Sequence, residues 1–93
     1  MSRAERIRTA IERGFAPATV EVLDESHRHA GHAGARPEGE THYRVRAVSA
    51  AFVGMTRVAR SRAVHELLAG EFQTGLHALS LSLQTPEEAA RAG

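Results

Sequence analysis

Histidine is the residue type with the most chemical potential in this sequence. Three imidazoles fall within the stretch SHRHAGHAG, at His27, His29 and His32. Neutral imidazole is a common metal ligand, but the spacing H-x-H-x2-H matches none of the closed zinc patterns, which use cysteines or a helical histidine pair. From the spacing alone three interpretations stay open: solvated loop histidines, one ligand of a shared site, or a stand-alone zinc or copper site.

The remaining histidines are predicted to lie on regular elements. His77 begins a predicted strand, where its own pattern favours a partly buried histidine at the rim of the core. His42 is predicted to be a solvated or hydrogen-bonded surface residue on the strand face of Arg44 and Arg46. His65 is predicted to face solvent from a helix. None of these positions indicates a metal ligand by itself.

The sequence lacks the groups that would support catalysis. With no cysteine, the chain offers no thiol nucleophile, no disulfide and no thiolate ligand for an iron–sulfur cluster. Ser26 stands beside His27, but no third group is positioned to orient the pair. We therefore expect a protein that is not an enzyme.

Length and composition indicate one small domain over residues 1–93. No apolar run is long enough to span a bilayer and no signal-peptide pattern is present, so we expect a cytoplasmic protein without membrane association.

The net charge is +1, and every lysine or arginine position in the sequence is arginine. A nucleic-acid site would therefore need a local patch, and the candidates are Arg57, Arg60 and Arg62, with Arg44 and Arg46.

Capping and periodicity predict three helices. Ser2 and Glu5 fit a capping box that opens a helix over Arg3–Arg13. The longest helix is expected over Thr56–Phe72, and a short final helix begins at Pro86. The inward residues expected for the longest helix are Val64, Leu67, Leu68 and Phe72.

Strand signals separate these helices. Strands are predicted over Thr19–Asp24, Thr41–Ser49 and Leu76–Leu83, with a loop over Glu25–Glu40. The order is αββαβα, an α+β fold with a three-stranded mixed sheet. The first two strands are expected to be antiparallel, whereas the β–α–β unit predicts a parallel crossover between the second and third.

This topology has a consequence for the histidines. Parallel strands begin at the same edge of a sheet, so His77 is expected near Thr41 and His42. The histidine loop enters at that edge. If the two strands are neighbours, His77 and the loop histidines converge.

An ordered set of short motifs runs along nearly the whole chain. These are DES at Asp24–Ser26, HAGH at 29–32, GETHYRV at Gly39–Val45, VS at 48–49, F-V-G at 52–54, R-S-R at 60–62, LHALSL at Leu76–Leu81 and TP-E at Thr85–Glu87. In this order and spacing they resemble the BolA family. The family usually has Arg-His-Arg in the long helix, where this sequence has Ser61 in the middle position.

The resemblance implies a fold and a function. BolA-like proteins have a small α+β fold similar to the type II KH module. They bind monothiol glutaredoxins and share a [2Fe–2S] cluster, for which the glutaredoxin cysteine and glutathione supply sulfur. The family's C-terminal histidine falls on His77, the loop ligand falls on His29, and His32 is close enough to compete.

These implications define the expectations for this chain. We expect an adaptor in iron–sulfur or iron homeostasis that binds no cluster alone and is a monomer or weak homodimer when free. The alternative is a small DNA- or RNA-binding transcriptional regulator that uses Arg57, Arg60 and Arg62. A KH-type G-x-x-G loop is missing, since Gly54-Met55-Thr56-Arg57 lacks the second glycine, and aromatic residues for base stacking are few.

Overall fold

The computed structural model of the chain describes residues 1–26 and 41–92. A three-stranded sheet carries the other elements, in the order αββααβα. A short 3-10 helix, Ala50–Phe52, follows the second strand. The elements are α1 (Arg3–Gly14), β1 (Ala18–Asp24), β2 (His42–Ser49), α2 (Arg57–Leu67), α3 (Ala69–Gln73), β3 (Ala78–Gln84) and α4 (Pro86–Ala92).

The predicted sheet topology is confirmed. The strands lie in the order β1-β2-β3, with β1 antiparallel and β3 parallel to the central strand. The parallel register pairs His42 with Ala78, so β2 and β3 begin at the same edge. The mixed α+β fold expected from the sequence is therefore the fold observed.

One face of the sheet packs against the helices. Val45 and Ala47 of β2 are fully buried there, and Ile7 and Ile11 of α1 lie in the same core. The opposite face carries exposed polar side chains, such as Arg46 of β2. This alternation follows from the two-residue period of side chains along a strand.

The two capping predictions also hold. Ser2 Oγ accepts a hydrogen bond from the Glu5 N–H at 3.2 Å at the start of α1. At the start of α4, the Glu88 N–H donates to Thr85 Oγ1 at 3.2 Å, while the Thr85 N–H donates to Glu88 Oε1 at 2.8 Å. This reciprocal pair is a capping box, which satisfies N–H groups that have no partner within the helix.

The prediction of one long helix over Thr56–Phe72 is wrong. The helix is interrupted at Leu68, and α3 begins at Ala69. Leu68 is 2% exposed, whereas Leu67 is 42% exposed and therefore does not face the core as expected. The break between the two helices therefore coincides with the burial of Leu68.

An ion-pair cluster joins α1 to α3. Arg3 and Arg6 donate to the Glu71 carboxylate at 2.7 and 2.9 Å. Arg3 also donates to the Thr74 carbonyl at 2.9 Å. The hydrogen bond from Arg6, followed by the charges of both arginines, holds the pKa of Glu71 below its ordinary 4.5 despite partial burial.

The helices in the described part of the chain are short. The longest of them, α1, has 12 residues, against the roughly 20 apolar residues that a membrane-spanning helix needs. Within residues 1–26 and 41–92, no helix has the length and apolar character of a membrane span.

Candidate metal-ligand site

His77 lies at the edge where β2 and β3 begin. Its N–H donates to the Thr41 carbonyl at 2.7 Å, and the Ala78 N–H donates to the same oxygen at 3.0 Å. These two hydrogen bonds attach the backbone of residue 77 to the start of β2. The predicted meeting of His77 with Thr41 and His42 is confirmed.

His77 differs from the prediction in its place relative to the strand and in its exposure. The strand begins at Ala78, one residue later, and the His77 side chain is exposed instead of lying at the rim of the core. The Thr41 carbonyl accepts hydrogen bonds from the N–H groups of both His77 and Ala78. The hydrogen-bond ladder between β2 and β3 therefore starts at Thr41, and His77 lies outside it. The result is an accessible imidazole on a fixed backbone.

His42 is not a surface residue, in contrast to the prediction. It is 7% exposed, and its Nδ1 lies 2.8 Å from Thr41 Oγ1. Its ring centroid is 5.2 Å from that of His77, with the planes tilted by 51°. His42 therefore forms a side wall against which the His77 ring packs.

Sequence reasoning missed a polar clamp at this edge. Ser26 Oγ accepts the N–H groups of Thr41 and His42 at 2.9 and 3.0 Å, and the Glu25 N–H donates to the His42 carbonyl at 2.8 Å. Ser26 is itself held by its N–H, which donates to Asp24 Oδ1 at 2.8 Å. The signal was present as the D-x-S spacing, which is typical of an Asx turn.

The clamp joins the two ends of the histidine-rich segment. Ser26 precedes residues 27–40 and Thr41 follows them, and both are buried. His27, His29 and His32 themselves lie outside the described residues, as does most of the predicted Glu25–Glu40 loop. Both attachment points are therefore at the edge that carries His77.

The described donor set is small. Within residues 1–26 and 41–92, no group of three or more histidine, aspartate or glutamate side chains is arranged to hold a metal ion. His77 is the accessible imidazole at this edge, and the chain has no cysteine to add. The described part of the chain thus supplies one nitrogen donor here and no sulfur donor.

A shallow cavity of about 220 Å³ lies beside the two histidines. Glu25 is the charged residue in its wall. The Glu25 carboxylate forms an ion pair with the Arg44 guanidinium at 3.3 Å. The lining residues are Glu25, His42, Tyr43, Ala78, Leu79 and Ser80.

The arginines considered for nucleic-acid binding are dispersed. Arg57 and Arg62 are exposed on α2, but Arg60 is 5% exposed. Its guanidinium donates to the Glu88 carboxylate at 2.6 Å and to the Leu83 carbonyl at 3.0 Å. The structure therefore does not bring Arg57, Arg60 and Arg62 together on one exposed face.

Comparison with known proteins shows the family of this chain. Residues 11–88 match the family described as BolA-like protein. The chain belongs to the BolA-like family. A Sinorhizobium relative, an uncharacterized protein in the cobS 5' region, is 48% identical over 98% of this chain and 99% of its own length.

Other BolA-like relatives are longer than this chain. BOLA1 of Arabidopsis thaliana chloroplasts is 45% identical over 94% of this chain but 56% of the relative. SufE-like protein 1 of the same plant is 46% identical over 94% of this chain. The match covers 24% of that protein's length.

Solved structures show the same fold. The BolA domain of Arabidopsis thaliana SufE1 superposes with a TM-score of 0.84 at 45% identity, over 95% of this chain and 96% of that one. Arabidopsis BolA1 also gives a TM-score of 0.84, at 44% identity and the same coverage. The BolA-like fold implied by the sequence motifs is thereby confirmed.

Proposed function

We propose that this BolA-like protein is a non-enzymatic adaptor that binds a monothiol glutaredoxin and supplies a histidine ligand to a shared [2Fe–2S] cluster. His77 is the proposed ligand. His29 is the proposed assisting ligand, and His32 its competitor. The process it serves is iron–sulfur and iron homeostasis.

The accessible His77 imidazole is the observation that carries this proposal. The backbone N–H of His77 donates to the Thr41 carbonyl, while the imidazole ring of His77 remains exposed beside His42. Fixing the backbone before binding lowers the entropy cost of ligation. The Ser26 clamp brings both ends of the histidine-rich segment to the same edge.

The donor set suits a shared cluster better than a resident one. The chain contributes nitrogen only, so thiolate ligands have to come from the partner, as a glutaredoxin cysteine and glutathione would provide them. An imidazole in place of a thiolate raises the potential of a [2Fe–2S] centre. The role of this chain is then to dock and to present His77.

The test is anaerobic mixing with a cluster-loaded monothiol glutaredoxin. Wild-type protein is expected to change the visible absorption and circular dichroism of the cluster, whereas His77→Ala is expected to leave them unchanged. His65→Ala is the matched control, because His65 is also exposed but lies on α2. A His77→Ala spectrum identical to that of the wild-type mixture would contradict the ligand assignment.

A second measurement separates docking from ligation. Size-exclusion chromatography of the mixture, followed by iron and sulfide analysis, reports whether a complex forms and whether it holds a cluster. A His77→Ala complex that forms, but whose cluster differs from that of the wild-type complex or is less stable, supports a ligand role for His77. Failure of the wild-type protein to bind any monothiol glutaredoxin of its host would refute the adaptor function.

The alternative, transcriptional regulation by DNA or RNA binding, has less support. Arg60 is occupied by Glu88 and by main-chain carbonyls, so two of the three candidate arginines are exposed on α2. An electrophoretic mobility shift at low salt tests this alternative. Binding that falls steeply with salt and is weakened by Arg57→Ala would favour it.

A further inference from the structure

One of the two edges of the described sheet belongs to β3, and the other belongs to β1. The Ala78 N–H donates to the Thr41 carbonyl, so the backbone groups of residue 78 face β2. Successive residues of a strand direct their N–H and C=O groups to opposite sides. Ser80 and Ser82 therefore face β2 as well, and the backbone groups of the three leucines at 79, 81 and 83 point outward.

The Arg60 side chain confirms this direction. Its guanidinium reaches the Leu83 carbonyl from α2 at 3.0 Å, which requires that carbonyl to face away from β2. Within residues 1–26 and 41–92, no strand pairs with this side of β3. Leu79 and Leu81 thus each present one N–H donor and one C=O acceptor at an open edge, the arrangement that accepts an added strand.

A groove runs between this edge and α2. Its volume is about 210 Å³. Leu81 and Leu83 provide apolar surface, whereas Arg57 and Ser61 from successive turns of α2 provide polar atoms. Natural edge strands are commonly protected by charges or proline, but the sequence of β3, ALSLSLQ, contains neither.

The charge at the groove is positive. Arg57 is exposed and forms no ion pair with a carboxylate in the described part of the chain. Glu88 of α4 is already paired with Arg60 at 2.6 Å, and the described groove lining contains no acidic residue. A ligand segment that carries carboxylates would therefore complement the groove.

We propose that the β3 edge and this groove bind an acidic peptide segment in extended conformation, which adds to the sheet as a fourth strand. An extended peptide offers alternating backbone donors and acceptors that match those of Leu79 and Leu81. Its apolar side chains pack on Leu81 and Leu83, and a carboxylate pairs with Arg57. The lining of the groove does not include His77, so this site does not depend on the adaptor function.

The experiment is a titration of the 15N-labelled full chain with the peptide VEVEVEV, capped at both ends. The Leu79, Leu81 and Leu83 amides are expected to shift and to exchange more slowly with solvent in the complex. The Ser80 and Ser82 amides already bond to β2, so their protection is expected to stay unchanged. They are an internal control.

Charge and backbone contributions are separated by matched variants. Arg57→Glu is expected to weaken binding about tenfold, which corresponds to about 1.4 kcal/mol. Arg62→Glu changes the net charge equally on the same helix but outside the groove, and is expected to bind like the wild type. A VEVEVEV peptide N-methylated on the residues that face β3 is expected not to bind, and VKVKVKV is expected to bind far more weakly.

Several outcomes would overturn the proposal. These are no amide shifts at millimolar peptide, equal binding of the N-methylated peptide, or equal effects of the two arginine variants. Concentration-dependent protection of the Leu79 and Leu81 amides without peptide would assign the edge to a second copy of the chain. Shifts of the same amides by a dT10 oligonucleotide, with none by VEVEVEV, would assign the groove to nucleic acid.

Discussion

The Arg60 guanidinium is the buried centre of a hydrogen-bond cluster that joins α2 to the end of β3 and to α4. Its side chain is 6% exposed. It donates to the carbonyls of Met55 and Leu83 at 3.1 and 3.0 Å and to the Glu88 carboxylate. A hydrogen bond from a charged group contributes about 1.5–3 kcal/mol, so the two carbonyl contacts alone amount to about 3 kcal/mol or more.

We therefore expect Arg60→Met, which keeps an unbranched apolar side chain but removes the guanidinium that lies 5.8 Å from the Phe52 ring centroid, to lower the free energy of unfolding by about 3–5 kcal/mol. The assay is urea denaturation followed by far-UV circular dichroism. Arg57→Met is the matched control, one turn earlier on the same helix and exposed, with an expected change within about 0.5 kcal/mol. A loss below about 1 kcal/mol for Arg60→Met, or equal losses for both variants, would refute this reasoning.

Two further predictions concern Glu88 and Ser26. Hydrogen bonds from Arg60 and the Thr85 N–H lower the pKa of Glu88 from 4.5 to about 2, so its contribution to stability is complete above pH 4.5 and is lost as the pH falls toward 2. The stability difference between wild type and Glu88→Gln should shrink over that interval in urea titrations at several pH values, and a constant difference would contradict the assignment. Ser26→Ala leaves two buried N–H groups without their acceptor and should cost about 2–4 kcal/mol, with faster amide exchange at residues 41 and 42. The exposed Ser80→Ala is its control, and equal stability of the two variants would exclude the clamp.

Local signals were sufficient for most of the fold. The capping box at Ser2 and the Thr85-Pro86 start of the last helix depend on contacts within one turn, which the sequence displays directly. The alternation of apolar and polar residues along β1 and β2 indicates half-buried strands, again from residues that are close in the sequence. The parallel crossover to β3 followed from handedness rules that apply to any β–α–β unit.

The errors arose where packing against other parts of the chain decides burial. Periodicity predicts that Leu67 and Leu68 both face inward, but the long helix is interrupted at Leu68 and Leu67 is exposed. His42 alternates with buried residues and was expected at the surface, yet it is 7% exposed beside His77. Neither result is encoded in the spacing of residues near those positions.

The candidate site shows the same division. Composition and the order of the elements predict that the chain has no thiolate, that its side-chain nitrogen donors include histidine imidazoles, and that β2 and β3 begin at one edge. They do not predict that His77 is accessible while Arg60 is buried. Exposure depends on what packs from elsewhere in the chain: Thr41 and His42 hold His77 at the sheet edge, and Glu88 covers Arg60.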